Sequence, residues 1–232
     1  MNISRCIAAC VVVIAAFATT AAADPLNVYK ATITTGTAGN GKGRQTKQDF
    51  SLGLDFEVET VHGIVITRLG MWDDNGNGLL SPHSLLIYDL ANTSTPLVRL
   101  DTLPGTGVFE GGYRYFDLPT GLMLLEGTKF SMVVYYPSPN FDSNGNSGPT
   151  PPSLGEPTPI FVGDGYDFIS NIGVARFGFG NVFPVTLDTG PANRYHAGSF
   201  TYTPNPEPGT MILLSGALAA AGAWRRRRAR RS

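Results

Sequence analysis

Between Asp24 and Pro204 no stretch of helical length keeps an apolar 3.6-residue period free of glycine and proline, whereas short alternating runs recur throughout. With 28 glycines and 17 prolines in 232 residues, the chain is interrupted too often for long helices. Alternation suits the pleat of a strand, whose successive side chains point to opposite faces. The clearest case is Phe50–Val58, where every even position (Phe50, Leu52, Leu54, Phe56, Val58) is apolar and every odd one is small or acidic. It predicts one face in the core and one in water. Residues 62–71 read as a strand covered on both faces, with Ile64 and Ile66 opposed to Val65, Thr67 and Leu69; 84–90 and 96–103 read as a hairpin; 113–118, 122–125 and Lys129–Tyr136 follow. Residues 137–159, rich in Pro, Gly, Ser and Asn, read as a long surface excursion, because candidate strands resume at Ile160–Val162, 166–169, 173–179 and 194–203. About nine to eleven short antiparallel strands without crossover helices predict one all-β domain over 24–204, an antiparallel β-sandwich of jelly-roll type.

The chain ends read differently. Arg5 precedes an apolar run over 6–18, and Ala21, Ala22 and Ala23 supply the small residues that signal peptidase requires. A signal-peptide helix over 1–23, cut after Ala23, is expected. Cys6 and Cys10 both fall inside it, so the mature chain has no thiol for a disulfide or a zinc–thiolate site and must be held by burial. About 180 residues remain, enough for one sizeable core. Setting aside Arg5 and the six arginines of 225–231 leaves 10 basic against 18 acidic residues, a net of about −8. Such a charge argues against nucleic acid or an anionic membrane as a partner through bulk electrostatics.

At the other end Pro206, Glu207 and Pro208 precede 211–224, a run of 14 uncharged residues, and then Arg225, Arg226, Arg227, Arg228, Arg230 and Arg231. As a helix the run would reach ~21 Å against a hydrocarbon core of ~30 Å, short for a permanent span. Arginines just past an apolar segment are retained on the cytoplasmic side, and the two prolines keep Pro206–Pro208 extended outside it. A short transmembrane helix is expected, with the C-terminus cytoplasmic.

This order of Pro-Glu-Pro, short apolar span and arginine cluster, over 205–232, resembles the PEP-CTERM sorting signal of exosortase substrates. The resemblance implies a bacterial exported protein, with Pro206, Glu207 and Pro208 recognised and the chain cut nearby by a membrane-embedded exosortase. The precursor would sit in the inner membrane and the product at the cell surface or outside it, associated with extracellular polysaccharide and biofilm. Residues 52–58, 66–73 and 84–89 look like a β-sandwich domain often found upstream of such tags, a likeness covering roughly 51–136 with an echo at 198–202. That family has no established enzymatic activity.

Two kinds of binding site are expected from local residues. Asp73, Asn75 and Asn77 place oxygens as in the opening of a calcium loop, with the turn glycine at Gly78 and a carbonyl at Leu79. The twelfth position is Ser84 rather than Glu, which excludes an EF-hand and leaves a weaker calcium site assisted by Asp142, where the same pattern recurs. Against this, Asn-Gly also simply makes tight turns. Trp72, Tyr135, Tyr136 and Tyr166 are candidate rings for stacking on a carbohydrate, although alternation sends one of Tyr135 and Tyr136 inward. For catalysis the mature chain offers His62, His83 and His196 but no nucleophile elbow, zincin motif or phosphate loop. Ser81, His83 and Asp89 are near one another in sequence, but a triad is defined by geometry. Paired carboxylates for glycoside hydrolysis need not be adjacent in sequence. The expectation is a non-enzymatic structural or adhesive protein of the envelope or matrix; the alternative is a carbohydrate- or calcium-binding module.

Overall fold

A computed structural model of the chain describes residues 25–28, 30–32, 43–46, 48–73, 76–146, 160–162, 168–188 and 195–205. The expected signal peptide, Asn75, Tyr166, Pro206, Glu207, Pro208, the apolar span and the arginine cluster lie outside them. The chain divides into two units: Pro25–Pro204, and the two ends Met1–Asp24 with Asn205–Ser232. All the strands among the described residues belong to the first unit.

The strands in chain order are β1 (Leu26–Asn27), β2 (Lys30–Thr32), β3 (Gly43–Thr46), β4 (Phe50–Val58), β5 (Ile64–Trp72), β6 (Ser84–Asp89), β7 (Val98–Asp101), β8 (Val108–Glu110), β9 (Tyr113–Leu124), β10 (Lys129–Tyr136), β11 (Ser143–Asn146), β12 (Ile160–Val162), β13 (Ile169–Phe179), β14 (Thr186–Leu187), β15 (Tyr195–His196) and β16 (Gly198–Pro204). As the alternation predicts, the described residues are all-β, without helix, and their strand pairings are antiparallel. One sheet has the order β1-β16-β5-β9-β8 and another β14-β13-β4-β10-β6-β7; two small sheets, β15-β11-β3 and β12-β2, complete the set.

The even row of β4 forms the core as expected: Leu52, Leu54, Phe56 and Val58 are buried, and Phe50 packs half-buried against them. Phe56 stacks on Phe130 of β10 at 5.5 Å, and both rings meet Phe200 of β16 edge-on, at 5.2 and 5.5 Å. Since β4 and β10 belong to the six-stranded sheet and β16 to the five-stranded one, these rings join the two sheets. Burying each such side chain is worth ~1.5–3 kcal/mol relative to leaving it exposed.

Three expectations need correction. The odd row of β4 is not wet: Ser51 and Asp55 are 0% and 1% exposed. The segment 180–185, between β13 and β14, lies over that face. Its Pro184 stands 3.2 Å from where a Cβ on Gly53 would be, Ser51 donates to Gly180 O at 2.7 Å, and Phe183 packs edge-on to Tyr88 at 5.2 Å. In β5 a register shift between Ile66 and Arg68 turns Leu69 and Met71 onto the same face as Ile64 and Ile66, rather than opposing them. An extra residue in a strand has this effect because it reverses the side-chain alternation. Finally, the excursion over 137–159 is not all loop, since β11 pairs with β3 and β15.

The bulge leaves Arg68 and Gly70 on the other face of β5. A Cβ on Gly70 would lie 2.6 Å from the Tyr115 ring, so only glycine lets that ring cross the strand to reach Ser199 Oγ at 2.8 Å. Beside it Arg68 sits 4.8 Å over the same ring and donates to Glu110 at 3.1 Å, while Asn27 donates to Glu110 and accepts from Thr201 at 2.7 Å. One polar network thereby ties β1, β16, β5 and β8 together.

Candidate functional site

The loop from Asp73 to His83 leaves β5 and enters β6 at one end of the domain, and a buried aspartate holds each end of it. Asp73, 3% exposed, accepts Gly78 N–H at 3.1 Å and two bonds from Arg114, Nε at 2.9 Å and Nη2 at 2.7 Å, all on Oδ2. Arg114 also donates to Gly76 O at 3.2 Å and Gly107 O at 3.3 Å, and its guanidinium lies 5.6 Å over Phe109. The cation that enters this loop therefore comes from β9. Charge-assisted bonds of this kind are about twice as strong as neutral ones.

At the far end Asp142 accepts Leu80 N–H on both oxygens, at 2.9 and 3.0 Å, and on Oδ2 also Ser81 N–H and His83 Nε2–H, each at 2.8 Å. Phe141 N–H donates to Ser81 Oγ at 3.0 Å, and Asn140 braces the Asp142 backbone on both sides. Burial pushes the Asp142 carboxyl up, but the bonds from His83, Leu80 and Ser81 outweigh it and hold the group below its ordinary value. His83 is itself buried: its N–H donates to Thr102 Oγ1 at 2.9 Å, its Nδ1 lies 3.3 Å from Tyr135 O, and its ring meets Tyr136 edge-on at 5.3 Å. Burial, with the Asp142 charge nearby, pushes the Tyr136 phenol well above its usual range.

A third pair lies beneath the 180–185 segment, where Arg176 Nε donates to Asp55 at 2.7 and 3.0 Å and its guanidinium lies 5.2 Å from the Phe183 ring. Burial raises the Asp55 carboxyl in spite of the Arg176 and Ser131 bonds.

These arrangements bear directly on the candidate residues. Asp73 and Asp142 are each engaged by a basic group, so a calcium ion at either would have to displace a guanidinium or an imidazole. Among the described residues no three His, Cys, Asp or Glu side chains gather as a metal group. Asn77 is exposed beside Gly78. Trp72, edge-on to Tyr113 at 5.6 Å, is buried and so offers no exposed stacking face, and of the pair Tyr135 and Tyr136 it is Tyr136 that turns inward, as alternation requires of one of them. Tyr135 stays half-buried and donates to Asp49 at 2.9 Å. Ser81, His83 and Asp89 make no relay: both His83 ring nitrogens face Asp142 and Tyr135 O, and Asp89 accepts Ala91 N–H in the β6–β7 turn at 2.8 Å.

Sequence reasoning missed Arg114, Asp55 with Arg176, and the pairing of His83 with Asp142. The first two leave a faint signal, a lone charge inside an otherwise apolar or small alternating run. The third leaves none, because only the tertiary contact pairs the two residues.

Residues 206–228 match the model of the PEP-CTERM protein-sorting motif. No curated protein and no solved structure is similar enough to this chain to match it. The chain therefore carries, over 206–228, a PEP-CTERM sorting signal behind an all-β antiparallel domain, and that signal implies an exported protein, membrane-anchored as a precursor and processed by exosortase.

Proposed function

We propose that the chain is a structural or adhesive protein of the cell envelope or the extracellular polysaccharide matrix, delivered by its sorting signal and acting through a jelly-roll-like β-sandwich. The observation that carries this reading is the sorting motif beginning at 206, two residues past the end of β16 at Pro204. Two features favour the architecture: rings from both main sheets meet in one core, and the connections β4–β5, β5–β6, β7–β8 and β9–β10 each pass from one sheet to the other. The role is favoured by buried carboxylates engaged in holding the fold, Asp73 and Asp142 at the ends of the β5–β6 loop and Asp55 within β4. Signal peptidase would remove 1–23, and the arginine cluster would keep the precursor's C-terminus in the cytoplasm.

The test is mass spectrometry of the released protein together with its partition between medium and polysaccharide fraction. A released chain that begins near Asp24, ends near Pro206 and sediments with polysaccharide is expected. A chain that still carries 211–224, or one that never enters the polysaccharide fraction, contradicts the proposal. Glycan-array binding with and without calcium separates the binding-module alternative, for which Tyr135 is the candidate ring left partly exposed among the described residues.

A further inference from the structure

Asn77-Gly78 combines features that bear on a reaction of the chain with itself. Asn77 is exposed, and Gly78 has no side chain to obstruct attack by its nitrogen on the neighbouring amide. A Cβ at Gly78 would meet nothing nearer than Gly105 Cα at 3.8 Å, and its φ of +97° is a conformation that glycine adopts without strain. We propose that Asn77-Gly78 is a site of spontaneous modification, by succinimide formation and hydrolysis, whose rate is set by the Asp73–Arg114 pair. In the first step the Gly78 nitrogen loses its proton and bonds to Asn77 Cγ. The bond from Cγ to the side-chain nitrogen breaks, and ammonia leaves with that proton. Water then opens the ring at one carbonyl or the other, giving aspartate or isoaspartate.

The folded loop opposes the first step. The lone pair left by the lost proton points where the N–H pointed, and in the structure that direction is occupied by Asp73 Oδ2 at 3.1 Å. Asn77 Cγ would have to come to the place where the Asp73 carboxylate stands. Arg114 holds that carboxylate in place through two bonds at 2.7 and 2.9 Å on the same oxygen. The neighbouring Gly76 N–H is held by Asp73 O at 3.3 Å, so one residue fixes the backbone on both sides of Asn77. Reaction follows only when this clamp opens, and its product places a new carboxylate beside Asp73.

The experiment incubates the full chain at mildly alkaline pH and follows the peptide containing Asn77 by mass spectrometry and isoaspartate-specific methyl labelling. A synthetic peptide of residues 73–79 serves as the unguarded reference. Wild type should convert several-fold more slowly than the peptide, and Arg114→Gln should approach the peptide's rate. Phe109→Ala, which removes the ring that lies under the guanidinium and against Gly76, should fall between and covers the case in which Arg114→Gln does not fold. Conversion of wild type as fast as the peptide overturns the clamp. Equal rates in wild type and the folded variants do the same, and a peptide that stays unmodified overturns the site itself.

Discussion

Two single atoms decide much of the domain's chemistry. The first is the missing Cβ of Gly70. The Tyr115 ring lies on that position and is held at its far end by Ser199, so it has little room to move. Gly70→Ala should therefore destabilise by ~1–3 kcal/mol, the usual cost of overpacking, read as a lowered urea midpoint. The second is Asp142 Oδ2. Its carboxyl is held below the ordinary 3.8, so the stability it adds is complete above that value and disappears as pH falls through the depressed one. Asp142→Asn should accordingly be much less stable than wild type near neutral pH, and the gap should narrow well below pH 3.8. Urea unfolding at both pH values checks this, and a gap independent of pH would show that His83 and the two amides do not recognise the charge.

At the scale of elements, what was legible was the half of each strand that obeys a local rule. The even row of β4 could be read because burial against β10 and β16 selects every second residue, and the β6–β7 hairpin because its partners are adjacent in the chain. The odd row could not. Its cover, 180–185, comes more than a hundred residues later, and nothing in Ser51-Leu52-Gly53-Leu54-Asp55 shows that a second layer will arrive. The β5 bulge was hidden for another reason, since Val65, Thr67 and Leu69 suit either face and the pairing with β9 and β16 decides. Of the expected sites the loop itself was legible from its Asn-Gly turns, but Arg114 and His83, which determine what Asp73 and Asp142 do, act through tertiary contact. The same long-range logic applies to β1, only two residues long, whose Asn27 meets Glu110, Arg68 and Thr201. Asn27→Ala should leave the buried Thr201 hydroxyl without its acceptor and cost ~1–3 kcal/mol. Exchange of the Val28 amide, which donates to Phe200 O at 2.9 Å, should rise first; exchange that rises uniformly over the domain would mean that β1 is not a local latch.

For the whole molecule the decisive property is an asymmetry along the chain. Its formal charge is −1, yet six of its 17 basic residues are gathered within 225–231, behind 14 residues without any charge. As a helix that run would reach ~21 Å, which with the cluster behind it would suit brief retention with the arginines inside, and a polar flank carrying two prolines would not extend it. Recognition and orientation should therefore be separable. Glu207→Ala, within the matched motif, should leave export intact and let the uncleaved form accumulate in the membrane fraction. Deleting 225–231 should instead disturb orientation before processing is reached, because it removes the charge bias proposed to hold that end inside. Protease accessibility of a C-terminal epitope, read beside the mass of the released chain, distinguishes the two: the first variant should stay protected and uncut, the second should become accessible. If Glu207→Ala is cut and released as wild type is, recognition does not run through Glu207, and the assignment of Pro206, Glu207 and Pro208 as the element that is read fails with it.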